Sequence, residues 1–237
     1  MSKVKKAFFC QHCGYKSVKW AGQCPSCGQW NGFVEEILQK ENGKNNDWKK
    51  NYEDQPDRKN KTIRLNEIKN KDEKRLLSAD LELNRVLGGG IVPGSLILVA
   101  GEPGIGKSTL FLQNGLLLKD KTVLYISGEE SEQQIKMRAE RVGLLNENFY
   151  LLTETSTQII FQEIKKLKPD LVIVDSIQTL HTPYIDSSPG SISQIRESAA
   201  EFQRFAKETN TPVFLIGHIT KDGSIAGPKI LEHMVDA

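Results

Sequence analysis

Apolar residues in the later two thirds of the chain come in short unbroken runs, separated by longer stretches with helical spacing. LILVA (96–100), TVLYIS (122–127), FYLL (149–152), LVIVD (171–175) and PVFLIGH (212–218) read as strands. KSTLFLQNGLLL (107–118), SEQQIKMRAERVG (131–143), TQIIFQEIKKL (157–167) and SISQIRESAAEFQRFAKET (191–209) read as helices. Strands that are apolar at successive positions are buried on both faces. The alternation therefore predicts an α/β fold, a mainly parallel sheet with helices on both sides.

Upstream the pattern lapses. From Lys40 to Thr62 the chain is nearly free of aliphatic residues and rich in Lys, Asn and Asp. Such a stretch cannot bury enough surface to offset its ordering entropy, and it reads as a flexible linker. Trp48 is its one anomaly, a residue suited to touching a neighbouring surface. There is no internal repeat. Three units are expected: a small module over 1–36, a linker over 37–62 and the α/β core over 63–237.

Composition changes this picture little. With 38% hydrophobic and 26% charged residues, the chain has the make-up of an ordinary soluble globular protein. No apolar run approaches the roughly 20 residues of a membrane span, and the basic N-terminus lacks a secretory apolar segment. A cytoplasmic location without membrane contact is expected. Charge is unevenly spread. Residues 1–75 hold 17 Lys and Arg against 10 Asp and Glu, a net +7, and the remainder is a net −5. Polyanion contact would fall to the front of the chain; a solvated lysine-rich tether would look the same.

All four cysteines lie in FFCQHCGYKSVKWAGQCPSCGQWNGF (8–33). Two C-x-x-C turns, Cys10/Cys13 and Cys24/Cys27, can close a tetrahedral sulfur cage, which suits Zn²⁺. Gly14 and Gly28 can take positive φ and aim amides at the sulfurs. Trp20 and Trp30 can cover a site in a peptide too short for its own core. Two disulfides are the other reading, but cytosolic thiols stay reduced. His12 is a conceivable ligand, though four thiolates already complete the shell.

GEPGIGKST follows the first strand and opens the first helix. Gly101, Glu102, Pro103, Gly104, Ile105, Gly106, Lys107, Ser108 and Thr109 fit the phosphate-loop pattern in its confirming context. Backbone amides would wrap a phosphate, Lys107 would reach the β and γ phosphates of ATP, and Ser108 would hold Mg²⁺. Asp175, ending LVIVD, stands beside the phosphate loop where a carboxylate would polarise a Mg²⁺-bound water; a helix cap is its plainer role. YISGEES supplies Glu129 and Glu130 at the same sheet edge as candidates to orient water, Glu129 first. A helix start is the plainer role for both. His218 ends the last strand, where it could sense the γ-phosphate or serve a structural hydrogen bond. Loops 181–191 and 220–229, the latter with Lys221 and Lys229, suit phosphate-backbone contacts of DNA, as ordinary exposed loops also would. Beside an ATPase motor stand two other readings. One is a P-loop kinase for a small molecule. The other is a non-catalytic interaction module.

The ribbon, LNRVLGGGIVPGSLILVAGEPGIGKSTLFLQ, YISGEES, LVIVDSIQTL, SPGSISQIRE and GHITKDGSIAGPKILEHMVD, in this order, resemble the RadA (Sms) family of bacterial DNA repair proteins. That resemblance implies a RecA-like ATPase core using ATP/ADP and Mg²⁺, preceded by a Zn²⁺ ribbon. It implies a DNA-dependent, helicase-like ATPase of homologous recombination. Homo-hexameric rings would act on single-stranded DNA and recombination intermediates by branch migration. The ribbon would be open to a replicative or recombination partner. It implies Cys10, Cys13, Cys24 and Cys27 as zinc ligands, Lys107, Ser108 and Asp175 at the nucleotide, Glu129 at the catalytic position, and the two loops as DNA contacts. Two departures stand out. Asn84 replaces a usual Asp, and the family's KNRFG motif and Lon-like domain lie beyond Ala237. Without that motif, nucleotide binding with weak turnover and weak assembly is the expectation.

Overall fold

The computed structural model describes residues 5–10, 13–38, 62, 64–67, 74–218 and 231–237. Trp48, His12, Lys221 and Lys229 lie outside the described residues.

The N-terminal module is a three-stranded antiparallel sheet of order β2-β1-β3, with β1 Lys5–Cys10, β2 Lys16–Ser17 and β3 Phe33–Leu38. Its small core is Cys10, Cys24 and Phe33, flanked by Phe8, Cys13 and Ala21. This core shares no residue with the two larger clusters of the chain.

The short helix α1 (Leu81–Val86) follows a polar turn. Asp80 caps it, its carboxylate accepting from the amides of Glu82 and Leu83. Asn84 is buried and uses both ends of its amide on one residue. It accepts from Ser78 N at 2.9 Å and donates to Ser78 O at 2.8 Å. Aspartate could make only the first of these bonds.

The main sheet contains β4 (Leu96–Gly101), β5 (Val123–Ser127), β6 (Phe149–Thr153), β7 (Leu171–Asp175) and β8 (Val213–His218). All pairings are parallel, in the order β4-β8-β7-β5-β6. The connecting helices are α2 (Lys107–Leu117), α3 (Glu132–Val142), α4 (Thr157–Leu167) and α5 (Ile192–Thr209). Alternate strand residues face opposite layers. Val172, Val174, Val213 and Leu215 pack on α4 and α5 through Ile160, Phe161, Ile195 and Phe202. Ile173, Phe214 and Ile216 pack on α2 and α3 through Phe111, Leu112 and Ile135. This accounts for the unbroken apolar runs: both faces of β5, β7 and β8 are buried. The outer edge of β4 is paired as well. Asp236 N donates to Leu96 O and Leu98 N donates to Ala237 O.

Candidate nucleotide and metal sites

In a parallel sheet every strand delivers its carboxyl end to one rim. Here Gly101 stands opposite His218, and Ser127 opposite Asp175. Reading across the rim, the phosphate loop leaves β4, His218 ends β8, Asp175 ends β7, and the Gly128–Glu130 turn leaves β5.

Residues Glu102 to Gly106 are exposed between β4 and α2. Gly104 and Gly106 have φ of 79° and 102°, a backbone shape that leaves the amides at the helix start turned outward as a cradle for anionic oxygen. Gly106 is the N-cap of α2, with no side-chain cap. The amides of Gly106 to Thr109 therefore depend on a ligand or water. Lys107 is buried, and its amino group donates to Gly101 O and Glu102 O, both at 2.8 Å. Ser108 and Thr109 are half-buried on the first helical turn. A cradle of free amides, one buried ammonium and a hydroxyl fits a magnesium nucleotide.

The two acids of the β5 loop take different partners. Glu129 Oε1 accepts from the Ser176 hydroxyl at 2.6 Å and lies 3.3 Å from His218 Nε2. Glu130 turns the other way. Its carboxylate pairs with Arg138 Nη2 at 2.5 Å, and its amide donates to Ser127 Oγ at 3.1 Å. Of the two, only Glu129 faces the strand ends that carry Asp175 and His218. Asp175 is buried, and its Oδ2 accepts a short hydrogen bond from the Tyr125 hydroxyl. Burial and the adjacent Asp175 charge push the Tyr125 phenol far above its usual range, so it remains a donor. Gln178 Nε2 reaches back to His218 O at 3.2 Å.

Ser176, Tyr125 and Arg138 were not among the residues singled out from sequence. Ser176 carried a signal, since it directly follows Asp175. Tyr125 is the one hydroxyl-bearing side chain within the otherwise aliphatic LYI of its strand. Arg138 gave none.

Loop 181–191 is gathered onto α5 by one side chain. Gln194 Nε2 contacts the carbonyls of Thr182, Ile185 and Ser187 at 3.2, 3.0 and 3.1 Å, and Gln194 Oε1 accepts from Thr182 N at 2.7 Å. Beneath it Glu201 is buried, with Thr182 Oγ1 at 3.3 Å. Burial, reinforced by Glu197, pushes the Glu201 carboxyl up to about 7.

The four cysteines are unbridged, and their ligand atoms all lie within 4.8 Å of one another. Cys10 and Cys27 sulfurs are 3.7 Å apart, those of Cys13 and Cys24 3.6 Å. Four thiolates at about 2.3 Å from a tetrahedral ion have edges of about 3.8 Å, so the cage has the size for Zn²⁺. Gly14 and Gly28 have φ of 70° and 74°. Their own amides donate to the carbonyls of Cys10 and Cys24, and the amides that follow them, of Tyr15 and Gln29, meet the sulfurs of Cys13 and Cys27. The sulfur of Cys24 meets the amides of Cys27 and Ser26. Burial opposes ionisation there, yet those donors pull its thiol down to about 7. At Cys13 burial prevails and pushes the thiol up to about 12. Trp20 and Trp30 do not cover the cage. They are 56% and 68% exposed, and Phe33 with Phe8 and Ala21 does the covering.

Two families of known proteins match this chain. The AAA domain family matches residues 62–224, and the rubredoxin metal binding domain matches residues 8–35. The chain is 49% identical over 237 residues to the DNA repair protein RadA of Streptococcus pyogenes serotype M6. It is 49% identical over 239 residues to that of Halalkalibacterium halodurans and 47% over 238 to that of Bacillus subtilis. Each comparison covers 100% of this chain and 51% of the relative, so the chain spans about half the length of the curated relatives it matches.

Proposed function

Because the chain belongs to the AAA domain family, shown over residues 62–224, we propose that it is an ATP hydrolase acting on DNA in repair and recombination. The relatives' name, DNA repair protein RadA, supports the choice of DNA. The observation that carries the hydrolase reading is Glu129, held by Ser176 and His218 at the rim that also bears the phosphate loop and Asp175.

In this reading Gly101 to Thr109 bind the phosphates through amides, and Lys107 leaves its carbonyl partners for the β and γ oxygens. Ser108 and Asp175 hold Mg²⁺, which when bound neutralises charge developing on the transferred phosphoryl group. Glu129 orients the attacking water and receives its proton. His218, 3.3 Å from the same carboxylate oxygen, registers the change at Glu129 and passes it along β8. The three units 1–36, 37–62 and 63–237 act as zinc ribbon, tether and motor. The four-cysteine cage holds Zn²⁺ and presents the ribbon to a replicative or recombination protein. Loop 181–191, together with Lys221 and Lys229, meets single-stranded DNA. Assembly as a hexameric ring, helicase-like branch migration and a cytoplasmic location complete the proposal. Among the described residues no helix is long and apolar enough to cross a membrane.

Phosphate release from ATP, measured with and without single-stranded DNA, tests it. Weak release that DNA stimulates and Lys107→Ala abolishes is expected. A rate indifferent to DNA favours an interaction module, and a phosphorylated metabolite favours a kinase; either result overturns the proposal.

A further inference from the structure

A line of polar contacts crosses the apolar layer between the sheet and α3. It begins at Asp175 on β7, passes through the Tyr125 hydroxyl on β5, meets Arg138 on α3 at 3.5 Å, and ends at Glu130 beside Glu129. Tyr125 is fully buried among Phe149, Ile173 and the other apolar side chains of this layer. Phenylalanine would satisfy that packing, so the hydroxyl needs a separate reason. Arg138 and Glu130 are also costly to place. Their side chains are 10% and 35% exposed, and a desolvated ion pair recovers little net stability.

We infer that Tyr125 and Arg138 are positioning residues that hold the Asp175 carboxylate toward its metal and tie it to the loop bearing Glu129. The argument is geometric. A carboxylate anchored through Oδ2 is restrained in rotation, which favours one direction for its other oxygen. The same phenol oxygen accepts from Arg138, whose other contact fixes Glu130. Glu130 is fixed a second time through its amide to Ser127. Glu129 is the next residue, and its own carboxylate returns to Ser176, the neighbour of Asp175. The contacts form a closed circuit of Asp175, Tyr125, Arg138, Glu130, Glu129 and Ser176. A shift of the metal-binding carboxylate therefore reaches the water-orienting one by two routes. This inference rests on the hydrolase reading and adds to it the means by which magnesium loading and water placement are coupled.

The test is binding of a fluorescent ADP analogue to the full chain, titrated with MgCl₂. The parent must show magnesium-enhanced binding that Lys107→Ala lacks; if it does not, the hydrolase reading fails and the inference with it. Given that, Tyr125→Phe is expected to raise the half-saturating magnesium concentration about fivefold or more at an unchanged thermal midpoint. Arg138→Gln should raise it by a smaller factor, and the double variant should match Tyr125→Phe alone, because both act through one carboxylate. Tyr150→Phe, on an exposed tyrosine, is the control. Parent-like magnesium curves in Tyr125→Phe and Arg138→Gln overturn the inference. If Tyr125→Phe does not fold, Arg138→Gln decides alone, since its side chain enters from the helix side and leaves the strand packing untouched.

Discussion

Gly128 and Thr179 approach so closely that a β-carbon at residue 128 would stand 2.0 Å from the Thr179 hydroxyl oxygen and 2.6 Å from its β-carbon. Thr179 is itself fixed, donating to Ser176 O at 2.8 Å. The turn that carries Glu129 is thus seated against the residues that follow Asp175. Gly128→Ala should cost about 1–3 kcal/mol by overpacking. It should lower ATP turnover far more than nucleotide affinity, because the phosphate loop sits on a different strand. Denaturant unfolding beside nucleotide binding and phosphate release measures all three.

Glu129→Gln should retain ATP binding and lose hydrolysis by roughly 10²–10⁴-fold, the usual contribution of a positioned base. Ser176→Ala removes one bond to the same carboxylate and should cost about tenfold. Single-turnover assays with radiolabelled ATP separate the two. A Glu129→Gln variant as fast as the parent would transfer the role to another residue.

Glu201 makes stability depend on pH. Its carboxyl sits at about 7 in the folded chain against an ordinary 4.5, chiefly through burial. The folded protein keeps a proton that the unfolded chain has already lost. Stability therefore falls as pH rises from about 4.5 to about 7 and stays lower above. Glu201→Gln should abolish this slope and add up to about 3 kcal/mol at pH 8. Urea midpoints at a series of pH values read it directly.

The ribbon should carry one zinc ion, and Cys24→Ser or a strong chelator should release it. The ribbon core shares no residue with the large clusters, and Phe9 meets the larger unit at Arg196 of α5, 5.8 Å from the ring centroid, so that unit should keep most of its thermal stability after removal. The ribbon should unfold, since binding worth about 10–16 kcal/mol is its main source of order. A metal indicator dye and a thermal scan check both halves.

The five parallel strands were legible because burial on both faces writes uninterrupted apolar runs, and the phosphate loop because its glycines and lysine are contiguous. The ribbon strands were not. β2 has two residues, and FVEEIL interrupts its apolar pattern with two acids. α1 is too short for a periodic signal, and only Asp80 announces it. The partners of Glu129 and Asp175 lie 47 and 50 residues away along the chain, brought close by strand order alone. Nothing local in sequence records such a meeting. The pairing of Glu130 was equally hidden, since Arg138 approaches it from a helix face.

Gln194 has one further consequence. Its amide nitrogen has two hydrogens to share among three carbonyls of the loop that follows the Asp175 strand. Lifting any one of those three peptide units leaves both hydrogens to the other two, so the loop can yield locally while it stays tied to α5.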